Sequence, residues 1–290
     1  MKQLLFVISL VIIGGVASAQ EDKLVQHYTV EELRLNSEQA SAYLLADQVS
    51  LRSCEGSECP LITLLPIGTP LRVMEQGKPM TLNHVSSYWY KVKTNEHTGW
   101  LWGGFIATAY AGSHSDPTVK FVAGYEKMEE EEGWMRTYYQ IRAFRDGKEL
   151  SKLSVLSFGR SIAEFTNYGN LGVKKVDDII TLRVPCEGGC GCSTGQIFVF
   201  WNGKELTHVM DAGGTADAEY SESEGLLFPC DMEGEAPYIM KYSDHVRWGE
   251  EWEEEQEIDE VPRIYTYEYF IWNGDSLVAA DKKPRIYKTD

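Results

Sequence analysis

The chain has 290 residues, of which 43% are hydrophobic and 12% aromatic, a composition typical of folded proteins and too apolar for a disordered chain. Its 44 acidic residues against 27 Lys and Arg give a formal charge of −17. That charge argues against nucleic acid and anionic lipid as partners, because both require a cationic surface. The length predicts two domains.

Residues 1–19 are typical of a secretory signal peptide. Lys2 gives a positive start, residues 4–13 form an apolar run, and residues 17–19 supply the small side chains of a cleavage site. The apolar run is short for a membrane span, and no second run of about 18 apolar residues follows. We therefore expect an exported protein, periplasmic or extracellular, with no membrane span after cleavage. An uncleaved anchor is the alternative.

All six cysteines follow the signal peptide, and their even number in an exported chain favours disulfides. Cys54 and Cys59 lie in one short turn-like stretch and are expected to pair with each other. Two further disulfides, in any of three connectivities, would join the remaining four: Cys186, Cys190, Cys192 and Cys230. Zinc binding or a redox role is the alternative for this cluster, but its spacing is not the usual pair of CxxC knuckles. We predict no metal site.

A polar lead-in segment, residues 20–42, precedes a change of pattern. Over residues 43–107, short runs rich in Val, Leu, Trp and Tyr are separated by Gly, Pro and Asn, which predicts closely spaced strands and turns. Apolar positions two apart, such as Val49 and Leu51, would turn one face of each strand to a small core. Gly68 and Gly99 are suited to tight turns between these strands.

Three stretches of this segment share a pattern with a known family. Residues 49–53 end in an Arg-Ser corner, and residues 61–73 form two strand-like runs around Gly68. Residues 89–92, Trp-Tyr-Lys-Val, are followed by Thr-Gly-Trp at residues 98–100, which is the most specific part. In these features residues 43–107 resemble a bacterial SH3 domain (SH3b-like), a small β-barrel common in exported and cell-envelope proteins.

The resemblance implies binding to cell-wall peptide or to a neighbouring protein, without catalysis. Its candidate ligand contacts are four aromatic residues: Tyr88, Trp89, Trp100 and Trp102. A purely structural role in the core is the alternative for the tryptophans. The chain departs from the family in its paired cysteines, Cys54 and Cys59, and in a long hairpin over residues 73–88. Both departures fall where family members commonly bind ligands, so the ligand does not transfer.

Residues 108–118 are small and polar and are interpreted as a linker to a β-rich C-terminal domain, residues 119–290. Three hairpin signals recur there, at Asp146-Gly147, Asn202-Gly203 and Asn273-Gly274, because a type I′ turn favours Asn or Asp followed by Gly. They indicate either an internal repeat or three hairpins with the same turn chemistry. In both cases the pattern predicts a β-meander, propeller-like at most, since three units are too few for a closed ring.

No motif for catalysis or for a cofactor appears in the chain. The nucleophile elbow, the zincin helix, the phosphate loop and the dinucleotide fingerprint are all missing from the sequence, and no histidine has a recognisable catalytic setting. The acidic runs at residues 129–132 and 250–260 are interpreted as solvated loops. A divalent-cation site or a docking face for a basic partner is the alternative.

The sequence thus predicts an all-β protein, with a small SH3-like barrel followed by a disulfide-stapled β-meander or propeller-like domain. The expected function is that of an exported, non-enzymatic binding protein whose barrel docks to cell-wall material, such as peptidoglycan, or to an envelope protein. The alternative is a cell-wall hydrolase with an unrecognised active site in the C-terminal domain. No catalytic residue, metal or cofactor is assigned.

Overall fold

The computed structural model describes residues 28–29, 41–131, 134–157, 162–185, 193–217, 220–247 and 263–288. Within these ranges the regular structure is β-strand apart from one 3₁₀ turn at Gly103–Phe105, which confirms the all-β prediction. No helix in this part of the chain is long and apolar enough to cross a membrane. The signal peptide, the acidic run 250–260 and the cysteines Cys186, Cys190 and Cys192 lie outside the described residues.

The N-terminal part forms a seven-stranded half-barrel. Its strands are β1 (Tyr28–Thr29), β2 (Ser41–Tyr43), β3 (Val49–Arg52), β4 (Leu61–Leu65), β5 (Pro70–Leu82), β6 (Val85–Lys93) and β7 (Thr98–Trp102). They follow the order β2-β5-β6-β7-β3-β4, and β1 pairs with β6 in parallel. The predicted period of two holds, because Val49, Leu51, Leu71, Tyr90 and Val92 all point into one buried core.

The predicted long hairpin is β5 and β6. Its turn residues Asn83 and His84 both have positive φ angles, 51° and 61°, as a type I′ turn requires. The register between β5 and β6 shifts near Gly77, which indicates a β-bulge in β5. At the tip of the hairpin, the backbone N–H of Met128 donates to the carbonyl of Asn83 at 3.1 Å, so the hairpin contacts the next sheet.

A four-stranded antiparallel sheet follows the half-barrel. Its strands are β8 (Ala109–Gly112), β9 (Val119–Glu131), β10 (Trp134–Arg145) and β11 (Lys148–Ser157), in the order β11-β10-β9-β8. Strand β8 lies within residues 108–118, the segment predicted as a linker, and pairs with β9. Asp146 and Gly147, with φ angles of 50° and 72°, form the first predicted hairpin turn.

The rest of the chain forms a nine-stranded sheet. Its strands are β12 (Glu164–Asn167), β13 (Asp178–Val184), β14 (Ser193–Trp201), β15 (Leu206–Ala216), β16 (Tyr220–Leu227), β17 (Ile239–Arg247), β18 (Arg263–Trp272), β19 (Leu277–Ala279) and β20 (Arg285–Lys288). Strands β12 to β19 lie in chain order, and β20 also pairs with β18. The sheet is therefore the predicted meander. The second and third hairpin signals lie in this sheet, whereas the first lies in the four-stranded one.

The two C-terminal sheets pack face to face around one core. It includes Phe121 of β9, Ile141 of β10, Ile180 of β13 and Trp201 of β14, each at most 1% exposed. A second cluster includes Phe198, Phe200, Phe228 and Trp272. Along β14, Phe198 and Phe200 alternate with residues of the first cluster and therefore point to the opposite face of the sheet. The nine-stranded sheet is thus apolar on both faces along β14.

The half-barrel packs on the opposite face of the four-stranded sheet. Leu45 and Ile67 of the half-barrel contact Val122 of β9 and Phe144 of β10, and Trp102 contacts Met128. A Cβ atom added at Gly68, whose φ is +73°, would overlap the ring of Phe144. Since β9 contributes to cores on both of its faces, the half-barrel and the two sheets form three packed layers.

A buried carboxylate joins the segment after β8 to β13. Asp178 is fully buried, and its Oδ2 accepts hydrogen bonds from Ser113 Oγ at 2.5 Å and Ser115 Oγ at 3.1 Å. Its Oδ1 accepts from the backbone N–H of His114 at 2.8 Å and from Asn167 Nδ2 at 2.9 Å. Four donors therefore satisfy this charge and hold residues 113–115 against the sheet.

Candidate functional site

Three of the four aromatic residues predicted as ligand contacts are buried. Trp89, Trp100 and Trp102 are 7%, 9% and 5% exposed, and Tyr88 is half-buried beside the half-barrel core. The indole Nε1 of Trp102 donates to the carbonyl of Met80 at 3.0 Å. The tryptophans thus serve the packing of the half-barrel and leave little of their surface for a ligand.

The two departures from the SH3 pattern meet over Trp100. Glu55, in the loop closed by the cysteines, accepts a hydrogen bond at 2.7 Å from the backbone N–H of Lys78 in the bulge of β5. A Cβ atom at the neighbouring Gly77 would lie 2.7 Å from the Trp100 ring, so only glycine allows this approach. On this side of the half-barrel, the loop and the bulge together cover Trp100.

The predicted Cys54–Cys59 disulfide is present, with Cα atoms 5.5 Å apart. It closes the loop that presents Glu55, and Arg52 Nη1 donates to the carbonyl of Cys59 at 2.7 Å. Cys230, in the part of the chain that the structure describes, has no disulfide partner, and the cysteines predicted to pair with it lie outside that part.

Removal of this disulfide by Cys54→Ser together with Cys59→Ser is expected to cost about 2 kcal/mol of stability, because the bond closes only a short loop in the unfolded chain. The loss should appear as a lower melting temperature of the half-barrel on circular dichroism. The double variant after treatment with a reductant serves as control and should show no additional loss. An unchanged melting temperature would contradict the expectation.

Three exposed large apolar side chains of the half-barrel lie together on its edge strand, β4, whereas Met74 and Leu82 are exposed singly on β5. Leu61, Ile62 and Leu64 are 51%, 41% and 45% exposed, whereas Leu65 points into the core. The strand ends the sheet order after β3, so its outer backbone groups have no neighbouring strand among the described residues. It also carries no charged residue, although natural edge strands usually use charges to prevent pairing with other chains.

A polar cleft of about 580 Å³ lies in the nine-stranded sheet, along β14 to β17. Four carboxylates line it, those of Asp211, Glu222, Glu224 and Asp244. Each lies near a basic side chain; the nitrogen–oxygen distances are 2.7 Å for His208–Asp211, 3.8 Å for His245–Glu222, 2.7 Å for Lys241–Glu224 and 3.6 Å for Arg263–Asp244. The buried Oδ1 of Asp244 has no hydrogen-bond partner among the described residues.

This arrangement can bind a polar or cationic molecule, since serine and threonine hydroxyls from Thr194, Ser223 and Ser243 share the lining with the carboxylates. Across the described ranges, no cluster of three or more His, Cys, Asp or Glu side chains could hold a metal ion.

No protein-family model, curated protein or solved structure matches this chain.

The acidic run at residues 129–132 is described up to Glu131. Glu129 to Glu131 are exposed at the end of β9. Lys127 Nζ lies 2.6 Å from Glu129, and this hydrogen bond raises the pKa of Lys127. Tyr138 donates to Glu131 at 2.7 Å, which raises the pKa of the tyrosine. These acids are solvated as interpreted, but Glu129 to Glu131 lie in strand β9 and not in the expected loop.

Sequence reasoning did not single out the edge strand or the cleft. The signal for β4 was present, because residues 61–65 are an uncharged run between Pro60 and Pro66. No comparable run of residues in the sequence indicated the polar cleft. Its acids lie on β15, β16 and β17 and come together only through the pairing of those strands.

Proposed function

We propose that this chain is an exported, non-enzymatic binding protein whose half-barrel is an SH3-like module that docks to cell-wall peptide or to an envelope protein. The observation that supports the proposal is the exposed, uncharged edge strand β4. The ligand we favour is an extended peptide that adds to this edge, because the tryptophans are buried and β4 carries three adjacent exposed apolar side chains.

The chemistry of an edge strand suits an extended peptide. The open N–H and C=O groups of β4 can pair with the backbone of an added strand, which gives affinity with little dependence on sequence. Ile62 and Leu64 lie on one face of the strand and would contact alternate side chains of the peptide. Each such side chain contributes about 1.5–3 kcal/mol when it passes from full exposure to full burial, so partly exposed ones contribute less.

Leu64→Lys is expected to lower retention of the mature chain, residues 20–290, on purified peptidoglycan by at least about tenfold, the effect of losing roughly 1.4 kcal/mol. The charge would lie in the new strand interface, whereas it can remain in water in the free protein. The measurement is a pull-down on intact sacculi beside sacculi stripped of their stem peptides, on which the original chain and the Leu64→Lys variant should be retained equally.

Leu150→Lys is the matched control, since Leu150 is 40% exposed on an edge strand of a different sheet. It should bind intact sacculi as the original chain does, and both variants should keep the original melting temperature. Docking of wall peptide through β4 would be refuted if intact sacculi retained the Leu64→Lys variant as well as the original chain. It would also be refuted if they did not retain the original chain.

The polar cleft favours a second candidate, a cell-wall hydrolase. Glycoside hydrolysis needs one carboxyl group as an acid and a second as a base or nucleophile, and the cleft offers four carboxylates from adjacent strands. A gel containing cell wall distinguishes the two candidates. Clearing around the protein band would support the hydrolase, and retention without clearing would support the binding protein.

A further inference from the structure

A tyrosine-rich face lies at the C-terminal end of the nine-stranded sheet. In the strand register, Tyr242 of β17 lies beside Tyr267 of β18, and Tyr265 of β18 lies beside Tyr287 of β20. Residues opposite each other on adjacent strands point to the same side of a sheet, so these four rings share one face. Tyr287 is 50% exposed and the other three are half-buried, which leaves ring surface open to solvent.

One guanidinium lies among these rings. Arg285 pairs with Tyr267 in the register, and its Cζ lies 5.3 Å from the Tyr267 ring and 5.9 Å from the Tyr287 ring. These distances are within the range of cation–π contacts, and the side chain is 42% exposed. Its donors therefore remain accessible to an incoming anion.

The nearest carboxylate is already engaged by another cation. Lys282 donates a hydrogen bond to Glu235, which lowers the pKa of that carboxyl, and its Nζ lies 4.0 Å from the Tyr269 ring. Arg285 approaches Glu235 only to 3.9 Å. Lys282 and Glu235 thus neutralise each other. Arg285 is the cation beside the rings of Tyr267 and Tyr287, and the charge of Glu233 also acts on Tyr267.

The local charge differs in sign from that of the whole chain. Residues 281–288 contain four basic residues and one acid, Asp281, although the chain carries −17. At physiological ionic strength charges act over about 8 Å, so a ligand at this face responds to residues 281–288, Glu233 and Glu235 more than to the acids elsewhere in the chain.

We propose that this tyrosine face binds an acidic polysaccharide, a glycan chain bearing carboxylate groups. Arg285 would hold a sugar carboxylate by two parallel hydrogen bonds. The exposed rings of Tyr267 and Tyr287 would stack on the apolar C–H faces of neighbouring sugars, and their hydroxyls would exchange hydrogen bonds with sugar hydroxyls. This surface is separate from β4, and the proposal does not depend on peptide docking there.

The shape of the face favours a sugar over an acidic peptide. Tyr267 and Tyr287 meet edge to face, with ring centroids 5.9 Å apart and an interplanar angle of 85°. Ring faces of two orientations therefore line the surface, which suits pyranose rings that turn along a glycan chain. Burial, followed by the charge of Glu233, raises the pKa of Tyr267, so its phenol stays neutral at physiological pH. It can therefore both donate and accept hydrogen bonds, as polyhydroxyl ligands require.

The test is calorimetric titration of the mature chain, residues 20–290, with hexagalacturonate, maltohexaose and hexaglutamate. We expect binding of the acidic sugar alone, weakened by added salt, and at least tenfold weaker binding by Arg285→Gln. The affinity of the Arg285→Lys variant should fall between those of the original chain and the Arg285→Gln variant, since lysine keeps the charge and loses the bidentate geometry.

Arg183→Gln is the matched control, because Arg183 is 53% exposed on β13 of the same sheet and is paired with Glu164. It should bind hexagalacturonate as the original chain does. The proposal is overturned if the original chain does not bind hexagalacturonate, if maltohexaose binds equally well, or if Arg285→Gln binds unchanged while remaining folded. Equal binding of hexaglutamate would also overturn it and would indicate a surface for acidic polypeptides.

Discussion

Replacement of Trp201 by alanine is expected to lower the free energy of unfolding by about 4 kcal/mol. Trp201 lies at the end of β14, is 1% exposed, and packs edge-to-face on Phe121 with ring centroids 5.9 Å apart. Truncation removes its apolar contacts and leaves a cavity between two sheets, which strands of regular spacing cannot close by small shifts. A loss of this size should lower the melting temperature by about 10 °C.

Near-ultraviolet circular dichroism during thermal unfolding measures this effect. Trp201→Phe should lose much less stability, because it keeps a ring against Phe121. Tyr168→Ala is the control for aromatic loss at the surface, since Tyr168 is 43% exposed, and should change stability by less than about 0.5 kcal/mol. If the Trp201→Ala and Tyr168→Ala variants had the same melting temperature, the packing of the two sheets on Trp201 would be refuted.

The second large effect is expected for Asp178→Ala, a loss of about 3 kcal/mol. The fully buried carboxylate accepts four hydrogen bonds, two of them from Ser113 and Ser115. Without it, the backbone N–H of His114 and the amide of Asn167 lose an acceptor in a site where little water can replace it. Residues 113–115 should then separate from β13.

Hydrogen exchange at residues 113–115, measured beside the melting temperature, tests this effect. Asp177→Ala is the matched control, because Asp177 is adjacent but exposed, and it should leave exchange and stability unchanged. Asp178→Asn should be intermediate, since an amide offers one acceptor oxygen in place of two. Equal exchange in Asp177→Ala and Asp178→Ala would contradict the role of the buried carboxylate.

Local chemistry made the turns predictable from the sequence. Asp146 and Gly147 adopt the positive φ angles that a type I′ turn needs. At the other two hairpins only Gly203 and Gly274 have positive φ, whereas Asn202 and Asn273 do not, so the hairpins were predicted correctly but their type I′ turns were not. The disulfide between Cys54 and Cys59 was predictable for the same reason, because only a few residues separate the two thiols. The assignment of all-β structure rests on such local signals throughout the chain.

Long-range pairing explains what the sequence did not reveal. The first hairpin and the other two belong to different sheets, a distinction that depends on which strands pair and not on the turn residues. The segment around Ser113 looked like a linker because its anchor, Asp178, lies 65 residues away. For the same reason the four carboxylates of the polar cleft could not be grouped in advance.

The candidate binding residues show a related limit. Trp89, Trp100 and Trp102 were identified by residue type, but burial depends on what covers them, and Trp100 is covered by Gly77 and the Glu55 loop. Leu64 and Arg285 could not be identified in this way, because leucine and arginine are common residues that do not by themselves indicate a binding site. Their exposure follows from the positions of β4 and β20 within the sheets.

The packing of Ile67 on Phe144 and of Trp102 on Met128 has a consequence for how the molecule could engage a surface. A module on a flexible tether can search for a second target, but here the half-barrel and the C-terminal sheets are held at a fixed offset. The distance between β4 and the tyrosine face is therefore fixed. Avidity would rise only for targets whose peptide and glycan are spaced so that both surfaces can bind at once. Targets with any other spacing would occupy one surface at a time.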